Sequence, residues 1–216
     1  MEQLKSVPKG TCRWRRRKEE RPAEILCAAL KMFTSKGFSS TKLDEVAREA
    51  GVSKGTLYLY FESKESLFKA VVTEFVLPQI ANAEEQAEKN TGAIKDLLIL
   101  LIEQWRKNVL ETDLAGIAKM MIAEASNFPD LATFYLENVI KRTRYFVANL
   151  ITIGIKRGEF VECDANYTAR ILLTPILFSA VWQHSLAPFD DRYDIEKYLN
   201  IHLDIFFRGI LKESQE

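Results

Sequence analysis

A short segment near the N-terminus carries the side chains best suited to bind another molecule. It reads TKLDEVAREAGVSKGTLYLYFESK from Thr41 to Lys64, and its second half displays lysine, threonine and tyrosine side chains. A lysine supplies positive charge and hydroxyl groups supply hydrogen bonds, which are two kinds of contact that proteins make with nucleic-acid phosphates. We therefore interpret this segment as a surface that contacts DNA.

Two short helices joined by a glycine are expected to position these side chains. Thr41 followed by Asp44 resembles a capping box that begins the first helix, and Gly51 ends it. Ser53 can cap the second helix, in which Leu57 points inward. A helix-turn-helix of this kind places its second helix in the major groove, although a glycine-joined helix pair is also common in ordinary packing. The outward or edge positions of that second helix are Lys54, Gly55, Thr56, Tyr58 and Tyr60.

The distribution of charge favours DNA binding over ordinary packing. The formal net charge is zero, but residues 1–69 hold 15 Lys and Arg against 9 Asp and Glu, and the remaining residues hold 15 against 21. A basic end attracts phosphate and an acidic remainder is repelled by it, so we expect the N-terminal end to face the duplex. An arginine cluster before the first helix could also enter a minor groove, with Arg17 and Arg21 best placed, and its alternative is a solvated tail.

Helical periodicity continues through the rest of the chain and predicts an all-α fold of about nine helices. A helix over about 22–36 and the two short helices form a three-helix head. A long fourth helix begins after Ser63, with a kink expected near Val76 because Pro78 removes a backbone donor. It joins the head to a helical body with segments at about 93–110, 113–126, 130–157, 164–186 and 192–211. The expected division is a flexible basic arm over 1–21, a DNA-binding domain over 22–68 and a ligand-binding and dimerisation domain over 69–216.

Other classes of function find little support. Three scattered cysteines give neither a disulfide framework nor zinc-ligand spacing, and no apolar run is long enough to span a membrane. The sequence contains no nucleophile elbow, no glycine-rich phosphate loop and no paired acids in an apolar setting. We expect a cytoplasmic protein that is not an enzyme, that has no cofactor or metal, and that has no membrane partner.

The head resembles a known family. The run AREAGVSKGTLYLYFESKESLF, together with Phe33 and the pair Gly37-Phe38, is similar to the DNA-binding head of the tetracycline-repressor (TetR) family of bacterial regulators. The resemblance implies phosphate contacts from Thr41, Tyr58, Tyr60 and Lys64 and groove contacts from Lys54 and Gly55, with Thr56 near a phosphate or a thymine methyl. Leu59 departs from the His or Tyr often found there, which leaves open an apolar base contact or none. With the two arginines of the arm, the full predicted set is Arg17, Arg21, Thr41, Lys42, Ser53, Lys54, Gly55, Thr56, Tyr58, Tyr60 and Lys64.

The body resembles the AefR-like branch of the same family in the stretches IAEASNFPDLATFY and GIKRGEF. Its aromatic and sulfur-containing residues are candidates for binding a small apolar or aromatic effector, whose identity is unknown, and Glu124 and Arg144 are the charged residues expected nearest to it. Such residues at helical spacing also form ordinary core. The candidate ligand contacts are Trp105, Met120, Met121, Glu124, Phe128, Tyr135, Phe146, Phe178 and Trp182.

These features predict a homodimeric regulator, a repressor that binds a palindromic double-stranded operator and responds to a ligand. One recognition helix covers few base pairs, and two-fold symmetry doubles the contacts on an inverted repeat. The family pairs its last two helices, so we expect a dimer seam there. An alternative is an architectural or partner-controlled DNA-binding factor without a small-molecule ligand. The apolar residues expected in the seam are Ile171, Leu172, Pro175, Phe178, Leu199, Phe206 and Ile210.

Overall fold

The computed structural model describes residues 21–190 and 194–212, and in these ranges the chain is helical, as predicted. Its only β-type pairing there is an isolated bridge between Phe160 and Leu211. The three helices of the predicted head are α1 (Arg21–Lys36), α2 (Leu43–Glu49) and α3 (Lys54–Tyr60). The next helix, α4 (Lys64–Val71), packs on α1 and is counted with the head from this point on. The body contains α5 (Leu77–Glu88), α6 (Ile94–Trp105), α7 (Ala115–Glu124), α8 (Pro129–Tyr135), α9 (Arg142–Lys156), α10 (Ala165–Gln183) and α11 (Ile195–Ile210).

Three π-helical segments and one 3₁₀ turn connect or extend these helices. The segment Val72–Val76 runs without a break from α4 into α5, and Leu136–Lys141 does the same between α8 and α9. With these two pairs counted as continuous rods, the described ranges contain nine helices, which matches the predicted number. The other segments are Arg106–Leu110 after α6 and the 3₁₀ turn Ala187–Phe189.

Local sequence signals explain where most helices begin and end. Gly37, Gly51 and Gly158 have φ of 86°, 65° and 74°, and they follow the ends of α1, α2 and α9, where a left-handed conformation favours glycine. Ser53 accepts a hydrogen bond from the Thr56 backbone and caps α3. Ser63 and Asp164 cap α4 and α10 in the same way, and the predicted cap at Ser53 is confirmed.

The predicted cap of α2 is wrong. The N-cap residue is Lys42, and no side chain caps this helix. The Thr41 hydroxyl instead donates to the carbonyl oxygens of Gly37 at 2.7 Å and Met32 at 3.2 Å. Thr41 therefore closes the loop between α1 and α2 rather than the first turn of α2.

A π-helical segment lies where the sequence predicts a kink, near Val76. The backbone N–H of Leu77 donates to the carbonyl of Val72, five residues back, which is the pattern of a π turn. Pro78 follows immediately and has no N–H to donate, so the regular ladder cannot run through this point.

The head does not have a core of its own. Buried residues of α1, α2, α3 and α4 form one continuous cluster with residues of α7 and α8, including Ile117, Met121 and Leu131. A second cluster is formed by residues of α6, α9, α10 and α11. Gly116 allows the close approach of α7 to α1, because a Cβ there would lie 2.8 Å from Thr34 Cβ. The head is thus packed directly on the body.

Candidate DNA interface and body cavity

Helix α3 presents its side chains outward, as the sequence predicts. Leu57 is fully buried and anchors the helix, while Tyr58 and Tyr60 are 44% and 43% exposed. Leu59 is 84% exposed, which makes it one of the most exposed large apolar residues in the described chain. A short helix with an apolar tip between two phenols offers both hydrogen-bonding groups and an apolar surface to a DNA groove.

Lys54 begins α3 and pairs with a carboxylate of the preceding helix. Its Nζ lies 2.9 Å from Asp44 Oδ1 and 6.0 Å from the centre of the Tyr58 ring. The hydrogen bond with Asp44 raises the pKa of Lys54 above its ordinary value, so the side chain is charged at neutral pH. Both members of the pair are well exposed, and such pairs contribute little to stability, so Lys54 can exchange Asp44 for a phosphate.

The other predicted DNA contacts in the described chain are hydroxyl groups at the start of α3 and exposed residues near it in sequence or at the start of α1. Thr56 Oγ1 lies 2.8 Å from Ser53 Oγ, so the two hydroxyls form one hydrogen-bonded pair at the start of α3. Gly55 in α3 and Lys42 at the start of α2 are both exposed. Arg21 is exposed at the start of α1, whereas Arg17 and the rest of the predicted arm lie outside the described residues.

Two of the predicted DNA contacts make hydrogen bonds inside the protein. Thr41 is 1% exposed and its hydroxyl is used inside the protein, so it does not offer that group to phosphate. Lys64 Nζ donates to the carbonyl oxygens of Phe38 at 2.8 Å, Thr41 at 3.1 Å and Ser39 at 3.2 Å, and it lies 4.6 Å from the Phe38 ring centre. Its charge therefore holds the loop between α1 and α2, and the contacts that carry this role are not visible in the sequence pattern.

A cavity of about 290 Å³ lies between the helices of the body. Trp105, Tyr135 and Phe146, which the sequence singled out, line it together with Arg144. Burial raises the pKa of Tyr135, so its phenol stays neutral. Most of the lining is aliphatic and was missed, because these residues match ordinary core positions in sequence. The missed lining includes Ile80, Leu98, Ile102, Ala118, Leu172 and Ile176, and the amides of Gln79, Asn82, Gln104 and Asn108.

The other predicted ligand contacts lie elsewhere. Met120 and Met121 are buried in the core shared by head and body. Phe178 is 55% exposed, with its ring centre 6.2 Å from that of Trp182, and neither lines the cavity. Aromatic and sulfur-containing side chains suit an apolar ligand, but residue type alone does not indicate the direction of a side chain. These four residues lie on sides of their helices that do not line the cavity.

Glu124 and Phe128 also do not line the cavity, because they connect the body to the head. Glu124 Oε1 accepts a hydrogen bond from the Ser39 backbone N–H and Oε2 accepts one from its hydroxyl, both at 2.9 Å. The Phe128 ring packs edge-on against Phe38 with ring centres 4.7 Å apart. The bond from the Ser39 N–H is the main cause of a lowered Glu124 pKa, with Asn127 and Lys64 adding to it. We call Glu124, Phe128, Ser39 and Phe38 the head–body latch.

The apolar surface of the last two helices differs from the predicted seam. Leu199, Phe206 and Ile210 are buried in the body core, with Leu172 beside them, and Pro175 is half-buried. Of the predicted seam, Ile171 and Phe178 are exposed. The prediction chose the inward face of α11, because an amphipathic helix shows its strongest apolar stripe where it meets its own core. The exposed apolar side chains of this region are Tyr167, Ile171 and Phe178 on α10 and Ile201 and Ile205 on α11.

Among residues 21–190 and 194–212, every helix is too short or too polar to span a lipid bilayer. The same ranges contain no cluster of three or more His, Cys, Asp or Glu side chains that could coordinate a metal ion.

A helix-turn-helix with an exposed second helix, carried on a helical body with an internal cavity, defines a DNA-binding transcriptional regulator. Two family models match this chain: one described as bacterial regulatory proteins of the tetR family, over residues 25–71, and one described as the C-terminal domain of AefR-like transcriptional repressors, over residues 96–208. The chain belongs to the TetR family, in its AefR-like branch.

Individual relatives agree with this assignment. The HTH-type transcriptional regulator YhgD of Bacillus subtilis is 28% identical over 180 residues, which cover 79% of this chain and 88% of YhgD. The regulator YfiR of the same species is 34% identical over 148 residues, 66% of this chain and 69% of YfiR. The structure of the regulator FadR from Bacillus subtilis in complex with stearoyl-CoA is similar in fold, with a TM-score of 0.72 at 24% identity, covering 87% of this chain and 98% of FadR.

Proposed function

We propose that this regulator is a repressor that binds a palindromic operator as a homodimer and releases it when a small apolar effector fills the body cavity. The observation that carries the DNA contacts is the exposed surface of α3, where Lys54, Tyr58, Leu59 and Tyr60 stand together. Lys54 supplies charge, the two phenols supply hydrogen bonds to phosphate, and Leu59 supplies an apolar contact for a base methyl.

An apolar face of α10 and α11 supports the homodimer. Tyr167, Ile171 and Phe178 are spaced by four and seven residues on α10, so they lie on one side of the helix. Ile201 and Ile205 are four residues apart on α11, and His202 Nε2 lies 2.9 Å from the Leu172 carbonyl between the two helices. Exposed apolar residues arranged in this way are typical of an interface between copies. We propose that a second chain covers this face by two-fold symmetry, which also supplies two α3 helices to an inverted repeat.

The cavity supports a ligand-responsive function over the architectural alternative. Its volume is close to the lower end of the roughly 300–1,000 Å³ that small-molecule sites occupy, and a factor without a ligand has no need of such a space. The stearoyl-CoA complex of FadR shows that a related fold accommodates an acyl ligand. We propose an effector with an apolar chain or ring for this chain.

The contacts between cavity and head suggest how binding is transmitted. Helices α5, α7 and the rod of α8 and α9 all contribute to the cavity lining, and the same elements reach the head. The segment Val72–Val76 joins α4 to α5, and the head–body latch joins the end of α7 to the loop after α1. An effector that fits one arrangement of these helices better than the other shifts the distance between the two α3 helices of a dimer.

The experiment that tests the DNA-binding surface begins with selection of bound sequences from a random pool of duplexes. A palindromic consensus is expected, and the affinity of the Lys54→Ala variant for it should fall. Loss of one phosphate contact should also reduce the slope of log K against log salt by about 1. Lys89→Ala is the matched control, because Lys89 lies in the body and forms a similar exposed pair with Glu85. Equal effects of the two substitutions would refute the assignment of α3.

A further inference from the structure

The charged groups that line the body cavity are all of one sign. Arg144 on α9 and Arg170 on α10 are its charged lining residues, and no described Asp or Glu joins them. This is unexpected in a body whose sequence is acidic, since residues 70–216 hold 15 Lys and Arg against 21 Asp and Glu. An apolar cavity that keeps two cations without an acid is electrostatically suited to an anion.

Arg144 differs from its neighbours in having no acidic partner among the described residues. Arg142, one half-turn away on the same rod, forms two hydrogen bonds with Glu84, and Arg106 pairs with Glu103 and Glu111. Arg144 has no such ion pair, and its guanidinium lies 4.8 Å from the centre of the Tyr145 ring. The paired arginines beside it show that the body can supply carboxylates, yet Arg144 on the cavity wall has none within ion-pair distance among the described residues.

Part of the Arg144 side chain is also shielded from solvent. Its Nε is buried and has no hydrogen-bond partner in the described chain. A buried donor without a partner is costly, and a ligand that supplies an acceptor removes this cost on binding. Tyr145 is 56% exposed, so the guanidinium on its ring lies between the cavity and the surface. This position suits a ligand whose polar end remains near solvent while its apolar part enters the cavity.

We propose that the effector is an amphiphile with an anionic head, a carboxylate or a phosphate, which Arg144 binds while an apolar chain lies against residues such as Ile102 and Trp105. This inference rests on the proposed ligand-responsive function and specifies its ligand. The guanidinium offers a planar fork that matches either head group, and Arg170 adds positive charge on the facing helix. Arg144 thereby favours ligands with a negatively charged head group, whereas the aliphatic lining favours ligands with an apolar chain.

The test measures binding of three probes with the same ten-carbon chain to the full-length protein by titration calorimetry. Decanoate carries a carboxylate, decyl phosphate carries a phosphate, and decanol is neutral. The variants are Arg144→Gln, Arg144→Lys as the charge-retaining replacement, and Lys156→Gln as a control for loss of an exposed cation from the same helix. Arg144 has no acidic partner to leave behind, so the folded state should tolerate its replacement, and circular dichroism checks this.

At least one anionic probe should bind the wild-type protein about 10- to 100-fold more tightly than decanol, as expected for a charge-assisted hydrogen bond in a shielded site. Arg144→Gln should remove this preference without changing decanol affinity, Arg144→Lys should restore part of it, and Lys156→Gln should leave it intact. The preferred head group distinguishes a carboxylate ligand from a phosphate ligand.

The inference is overturned if decanol binds as tightly as both anions, if the preference survives in Arg144→Gln, or if none of the three probes binds. Release of the selected operator, followed by fluorescence anisotropy, separates this failure from that of the proposed function. If decanol releases the operator as well as the anions do, the ligand-responsive function stands and the anionic head is refuted. If no probe binds and none releases the operator, both the inference and the apolar-effector proposal fail.

Discussion

Replacement of Glu124 by alanine should measurably weaken the junction between head and body. The substitution removes a carboxylate that accepts two hydrogen bonds, one from the Ser39 backbone N–H and one from the Ser39 hydroxyl, both 2.9 Å long. Hydrogen bonds to charged groups contribute about 1.5–3 kcal/mol each in buried settings, and this site is partly open to water, so we expect a total loss of about 1–2 kcal/mol. In a chain of this size that corresponds to a fall in Tm of about 2–8 °C.

The stability lost on replacing Glu124 should depend on pH, in a direction set by the lowered pKa of this carboxyl group. The folded protein holds the carboxylate ionised below its ordinary pKa of 4.5, whereas the unfolded chain takes up the proton near that value. The stabilisation is therefore complete above about pH 4.5 and disappears as the pH falls through the lower folded pKa. Glu124→Gln, which cannot ionise, should be less stable than the wild type at pH 7 and approach it in acid.

Thermal unfolding followed by circular dichroism at pH 7, and in steps from about pH 4.5 down to about pH 3, measures both effects. Glu137→Ala is the control, since Glu137 pairs with Lys141 within one helical rod and exposed pairs of this kind contribute less than about 0.5 kcal/mol. If Glu124→Ala lowered Tm no more than Glu137→Ala at pH 7, the hydrogen bonds between Glu124 and Ser39 would have no energetic role in the head–body latch. A difference between wild type and Glu124→Gln that stayed constant with pH would refute the electrostatic part of the reasoning.

Three further substitutions test other features of the structure. Gly154→Ala places a Cβ 2.4 Å from the buried Phe160 ring, so urea unfolding should show a loss of about 1–3 kcal/mol from overpacking, and an unchanged midpoint would contradict this close approach. Lys64→Met should lower Tm because three carbonyls lose their donor, yet leave the salt dependence of operator binding unchanged; a slope reduced as in Lys54→Ala would restore Lys64 as a phosphate contact. Ile205→Asp should convert the proposed homodimer to a monomer in light scattering without changing helix content, and a persistent dimer would exclude this face as the interface.

Features that depend on a few adjacent residues could be predicted from the sequence. Gly51 ends α2 and Ser53 caps α3, because a left-handed turn and a hydroxyl cap need only local chemistry. The exposed positions of α3 follow from the same register, since burial of Leu57 fixes which side chains face outward. The sequence therefore predicts which side chains of α3 are exposed, while their contacts with DNA stay a prediction.

Features that depend on which element packs against which could not be predicted in this way. Lys64 looks like a free cation in sequence, and only the fold brings the carbonyl of Phe38, 26 residues away, within 2.8 Å of it. Glu124 looks like a ligand contact until Ser39, 85 residues away, is placed beside it. The cavity was found only in part for the same reason, because aliphatic residues such as Ile80 resemble core until the helices around them leave a space.

The core that α1 to α4 share with α7 and α8 limits how this regulator can be recombined with others. A chimera that takes residues 21–71 and attaches them to an unrelated body would expose Phe33 and Phe38, which are fully buried here, together with the apolar surface that Met121 and Leu131 now cover. The head would therefore have to be transferred together with α7 and α8, the two body helices that share its core. A change of operator specificity is better made by substituting the exposed positions of α3 than by transplanting the head.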